Sequence, residues 1–119
     1  MKLNHLNLPV QDVTSARSFF EKHLNFTSID VKPNETLSVL KGEDDFTLVL
    51  MNEKMNEHGN TAYPDAFHIG FFLKDAAEVD ALYARLKEDG TNVGEAPQQI
   101  RKTYGFYFYM QKILIEIAA

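Results

Sequence analysis

Two histidines and one glutamate are the residues of this chain best placed for chemistry, because they occupy related positions in an internal repeat. His5 lies in Asn4-His5-Leu6-Asn7-Leu8-Pro9-Val10 and His68 in Phe67-His68-Ile69-Gly70-Phe71-Phe72-Leu73, an offset of 68 − 5 = 63 residues. The register then continues without a gap: Leu6 over Ile69, Leu8 over Phe71, Val10 over Leu73, Asp12 over Asp75, and Phe19-Phe20 over Leu82-Tyr83. Glu116 stands in the isoleucine-rich stretch Ile113-Leu114-Ile115-Glu116-Ile117. Two neutral imidazoles and a carboxylate suit one divalent ion, Fe, Mn, Zn, Ni or Co, and three such ligands leave positions free for water or a chelating substrate. An unpaired carboxylate buried among isoleucines would cost several kcal/mol or shift its pKa, so a cation beside Glu116 is expected, unless that face is open to water.

Strands and helices must bring these groups into place. From Leu3 to Val10 apolar and polar residues alternate, the period of a half-buried strand, with His5 and Asn7 on the polar side. Asp12 is placed to cap a helix whose apolar face is Ala16, Phe19, Phe20 and Leu24. Strands are expected over 26–31, 36–40 and 46–51, separated by the turn signals Lys32-Pro33-Asn34-Glu35 and Lys41-Gly42-Glu43-Asp44. Residues 53–65 carry no sustained period and read as a link. The second half repeats the plan: a strand over 66–73, and a helix capped at Asp75, faced by Val79, Leu82, Tyr83 and Leu86 and stopped at Gly90. Strands near 92–95, 105–110 and 113–118 complete it. Alternation puts Ile113, Ile115, Ile117, Phe106, Phe108 and Met110 toward the helix, and leaves Gly105, Tyr107 and Tyr109 on the side of Glu116.

Composition narrows the partners. At 119 residues the chain has the size of one domain, and with 45% hydrophobic residues it can bury a core. A net charge of −5, spread over both halves, leaves no basic patch for a phosphate backbone, so nucleic acid is not expected. The absence of cysteine excludes disulfides, thiolate metal sites and a cysteine nucleophile. Neither a signal-peptide apolar region nor a membrane-length apolar run is present, and the expectation is a cytoplasmic protein with no membrane partner.

The order Asn4-His5-Leu6, Asp12 with Phe19-Phe20, Phe67-His68-Ile69 and Ile115-Glu116-Ile117 resembles the vicinal oxygen chelate superfamily. That group holds glyoxalase I, fosfomycin resistance proteins, extradiol dioxygenases, methylmalonyl-CoA epimerase and bleomycin resistance proteins. The resemblance covers nearly the whole chain and implies an α+β fold: one domain over 1–119, made of two βαβββ modules (1–52 and 66–119, linked by 53–65) that form a cleft. It implies His5, His68 and Glu116 as metal ligands, a small-molecule substrate and a homodimer. It also implies either a metal-dependent lyase, isomerase or dioxygenase, or a non-catalytic binder of the bleomycin-resistance type. Two features depart from the family patterns. Val49 stands where glyoxalase I and the epimerase resemble one another in having a further glutamate, and Glu53 falls at or past the end of its strand. The basic loop and C-terminal arginine that hold a phosphonate in the fosfomycin group have no counterpart before Ala119.

The remaining candidates line the same expected cleft. Tyr107 and Tyr109 suit hydrogen-bond donation to a developing oxyanion, with plain packing as the competing role. Asn7, Thr47, Val49, Met51 and Gly70 are the expected substrate-binding positions. His23 and His58 read as solvated, and Asp12 and Asp75 as helix caps rather than catalytic carboxylates.

Overall fold

The computed structural model describes residues 1–32, 35–59 and 62–119. Pro33 and Asn34 of the first expected turn, and Asn60 and Thr61 of the link, lie outside the described residues. The chain divides into two compact units, Met1–Thr61 and Ala62–Ala119.

Unit one runs β1 (His5–Val10), α1 (Val13–His23), β2 (Thr27–Val31), β3 (Leu37–Lys41) and β4 (Thr47–Asn52). Its sheet has the order β1-β4-β3-β2, with β1 parallel to β4 and the other pairs antiparallel. The alternation read from the sequence sorts the sheet's faces. Leu8, Val10, Leu40, Leu48 and Leu50 are buried together with Val13, Ala16 and Phe20 of α1, while His5 and Asn7 stay exposed. Asp12 caps α1 by accepting the Ser15 N–H at 3.1 Å, and the helix ends at Asn25, whose φ of 57° is the left-handed conformation asparagine tolerates.

Unit two runs β5 (His68–Phe72), α2 (Ala76–Glu88), β6 (Gln98–Ile100), β7 (Thr103–Met110) and β8 (Ile113–Ala118). The sheet order is β5-β8-β7-β6, again with the first and last strands parallel. Val79, Leu82, Leu86, Phe106, Phe108, Met110, Ile113, Ile115 and Ile117 are buried, as their spacing predicts. Asp75 accepts the Glu78 N–H at 3.0 Å, and the Glu78 carboxylate reaches back to the Lys74 N–H at 3.1 Å. At the far end Gly90, with φ 84°, lets Thr91 N–H reach the Leu86 carbonyl (3.0 Å) and its own N–H the Lys87 carbonyl (3.1 Å). This double return satisfies two otherwise orphaned carbonyls, which a residue with a Cβ would do at a strain cost.

Two expectations are corrected. Residues 92–95 form a loop, and the third strand is the polar segment Gln98–Ile100. Val93 is buried, which gave the stretch its apolar signal, but Gly94 takes φ 59° and donates to Asn92 Oδ1, a local turn incompatible with a ladder. His23 is not solvated: it is 5% exposed, and its ring meets Phe19 at a centroid distance of 5.2 Å. The charged neighbours Glu21 and Lys22 suggested water, but the i, i+4 step from Phe19 puts His23 on the buried stripe of α1.

Candidate functional site

In unit two strand register assembles four of the expected residues. Gly70 on β5 pairs with Glu116 on β8, and Glu116 pairs in turn with Tyr107 on β7. His68 is two residues before Gly70 on the same face, and its Nε2 lies 3.3 Å from Glu116 Oε2. The Tyr107 ring meets the His68 ring edge-on at 5.9 Å. Tyr109 is one alternation further along that face, paired with Leu114 and 59% exposed. Glu116 is half-buried, its side chain 22% exposed against 42% for His68, so the carboxylate is sheltered while the imidazole meets solvent.

The histidine's protonation follows from its neighbours. His68 Nδ1 is 3.0 Å from the Ala66 carbonyl, which can only accept, so Nδ1 carries a proton and donates it there. In the neutral ring Nε2 is then a lone pair aimed at a carboxylate. Two acceptors at that distance repel unless a proton or a cation lies between them. Donors about 2.0 to 2.2 Å from one ion are themselves about 3.0 to 3.5 Å apart, and the observed 3.3 Å falls within that range. The donor set and spacing therefore fit a divalent ion.

Tyr107 is tied to the same carboxylate. Partial desolvation, and then the neighbouring Glu116 carboxylate, hold the phenol above its ordinary value, and the nearby Arg101 guanidinium pulls the other way. Tyr107 faces Glu116 directly across the β7–β8 ladder. A Cβ added at Gly70 would lie 3.6 Å from Glu116 Oε2, an ordinary contact.

Unit one holds the other expected residues in the matching register. His5 pairs with Thr47, Asn7 with Val49 and Pro9 with Met51, and Val49 pairs with Val39 across β3–β4. Asn7/Val49/Val39 is therefore the counterpart of Gly70/Glu116/Tyr107. Glu53 lies beyond β4, in a 3-10 turn over Glu53–Met55. His5 Nδ1 is 2.7 Å from Asn4 Oδ1, again an acceptor, so its Nε2 is also the free nitrogen. His58 is exposed, as expected. Among the described residues, no three His, Asp or Glu side chains are close enough together to form a complete metal site.

Two residues near these groups escaped the sequence reading. Arg101 occupies the two-residue β6–β7 turn with φ 55°, and its only sequence signal is a basic residue four places after a proline. Asn4 has a clearer one, an acceptor side chain immediately before a strand histidine.

The fold and the paired acid and imidazole define a protein class, and comparison with known proteins gives it a name. The family model of the glyoxalase/bleomycin resistance protein/dioxygenase superfamily matches residues 2–114, and the chain belongs to that superfamily. A possible glyoxalase from Bacillus cereus is 36% identical, with a TM-score of 0.86, and the match covers 100% of this chain and 99% of that one. Lactoylglutathione lyase from Agrobacterium tumefaciens (18% identity, TM-score 0.75, 98% and 92% covered) shares the fold. So does the fosfomycin resistance protein FosX from Listeria monocytogenes (20%, 0.78, 99% and 90%). No functionally curated protein matches the chain in sequence. No helix among the described residues is long and apolar enough to cross a membrane.

Proposed function

We propose that the protein is a metal-dependent enzyme of the glyoxalase and dioxygenase type, in which His5, His68 and Glu116 hold one divalent ion, Fe, Mn, Zn, Ni or Co. The observation that carries this reading is His68 Nε2 lying 3.3 Å from Glu116 Oε2, with Nδ1 directed at the Ala66 carbonyl. Bound there, the ion would chelate two neighbouring oxygens of a small substrate and stabilise negative charge developing on them. The chain's own groups do the rest. Tyr107, the register partner of Glu116 on β7, would donate to the carboxylate and orient it. Tyr109, exposed on the same face, offers a phenol proton to the substrate. Gly70 leaves the carboxylate accessible, and Asn7, Thr47, Val49 and Met51 line the substrate side of unit one. With Val49 at the carboxylate position of unit one, proton transfer by a glutamate there is unavailable. This favours reactions in which charge stabilisation rather than a second carboxylate base drives turnover.

The reading includes a cytoplasmic homodimer. Phe72, 74% exposed, and Tyr109 share the sheet face of His68, an apolar surface suited to a second copy or a ligand. A second reading rests on the same aromatic face together with Val49: a non-catalytic binder that sequesters a small molecule without metal.

Metal content decides between them. Protein purified without chelator and offered a set of divalent ions should hold close to one equivalent, and His68→Ala and Glu116→Ala should not. Uptake below about 0.1 equivalent by all three proteins would refute the enzyme reading and leave the binder. Light scattering tests the dimer.

A further inference from the structure

The two histidines are held by different kinds of acceptor. His68 Nδ1 donates to a main-chain carbonyl, that of Ala66, which no side-chain substitution removes. The residue equivalent to Ala66 in the repeat is Leu3, yet His5 Nδ1 turns instead to the side-chain oxygen of Asn4, 2.7 Å away. Asn4 is itself anchored, because its own carbonyl accepts the Thr47 N–H at 2.8 Å and so extends the β1–β4 ladder by one step. Its side chain therefore starts from a fixed backbone position. Among the described residues, this is the hydrogen bond recorded for the exposed His5 ring.

We propose that Asn4 is the positioning residue of unit one: its amide oxygen holds His5 with the proton on Nδ1 and keeps Nε2 free as a ligand nitrogen. An imidazole can donate from one nitrogen only while neutral, so the residue that captures the Nδ1 proton decides which nitrogen is left for a cation. The consequence for metal rests on the function proposed above, whereas the tautomer assignment does not.

The test separates the two. Long-range nitrogen–proton NMR correlations on metal-free protein at about pH 8, where free imidazole is neutral, read each tautomer directly. In the wild type both His5 and His68 should show a protonated Nδ1. In Asn4→Leu, which keeps size but removes the acceptor, His5 should shift toward a protonated Nε2 while His68 stays unchanged. Asn4→Asp, which keeps the acceptor, should retain the wild-type pattern. Zinc titration should then show binding about tenfold weaker in Asn4→Leu and restored in Asn4→Asp. A wild-type His5 protonated on Nε2, or an Asn4→Leu variant with an unchanged His5 tautomer, overturns the proposal. An altered tautomer with unaltered zinc affinity overturns its link to the metal. A wild type that takes up neither zinc nor iron, manganese, nickel or cobalt refutes the metal reading, and the tautomer assignment is then decided by the spectra alone.

Discussion

The two units share a plan and differ in what they place on it. In each, the first and last strands are parallel neighbours and a capped helix covers one sheet face. On the other face unit one presents Asn7, Val49 and Val39 where unit two presents Gly70, Glu116 and Tyr107. All five tyrosines of the chain fall in unit two. Packing against the helix constrains the inner face in both halves, so the repeat persists there. The outer face carries no such constraint and has diverged, with Val39 and Val49 standing where unit two has Tyr107 and Glu116.

This contrast can be broken by substitution, and the largest effect is expected for the ion. Glu116→Ala should lower metal affinity at least about a hundredfold, and Val49→Ala, its register counterpart, should leave it within about twofold in a competition titration. Equal effects would mean that the outer faces do not differ in the way proposed. The next effect is on stability. A methyl group at Gly105 in β7 would run into the Ile117 carbonyl and the Ala118 Cα, backbone that cannot step aside. Gly105→Ala should cost about 3 kcal/mol in urea unfolding. At Gly42 of unit one the added methyl meets the Phe26 ring at 2.7 Å, and a ring can turn, so Gly42→Ala should cost about 1 kcal/mol.

A smaller difference is expected at the helix ends. Gly90→Ala should cost about 1 kcal/mol, because it puts a Cβ on a residue at φ 84°, while Asn25→Gly should be neutral or slightly stabilising. The smallest effect is alkaline and belongs to unit two alone. Tyr104 O–H donates to Asp80 Oδ1 at 2.7 Å, and that hydrogen bond, then desolvation, then the Asp80 charge, raise the phenol above its ordinary value of about 10. The unfolded chain therefore loses this proton first. The stabilisation is complete below about pH 10 and fades as pH rises through the folded-state value. Asp80→Asn should make the alkaline decline in stability shallower, with the phenol absorbance titrating earlier.

Much of this was legible in the sequence, for a physical reason. The inner faces are apolar at periods of two and of three to four, so β7, β8 and α2 follow from Phe106, Phe108, Ile113, Ile115, Ile117, Val79, Leu82 and Leu86. The counterpart relation between Glu116 and Val49 is implied by the family resemblance, and strand register agrees with it. Edge strand β6 gives no such signal, because its residues, Gln98, Gln99 and Ile100, bury little, while Val93 buries in a loop. His23 is buried although Glu21 and Lys22 flank it, because charged neighbours on a helix say little about a residue one step around its circumference. Tautomers lie beyond pattern reading: nothing in residue type says that one histidine turns to a carbonyl and the other to an amide.

The parallel pairing of each unit's first and last strands also orders events during synthesis. β5 has one neighbour in its sheet, β8, and His68 and its partner Leu114 are 114 − 68 = 46 residues apart. Until the ribosome has delivered that distant segment, β5 emerges with both edges unpaired and with Phe72 on its surface, a transient invitation to aggregation. Unit one needs the same kind of closure, His5 pairing with Thr47, 47 − 5 = 42 residues on, but its strands are made first, so its ladder can close while the half bearing Glu116 is still being synthesised.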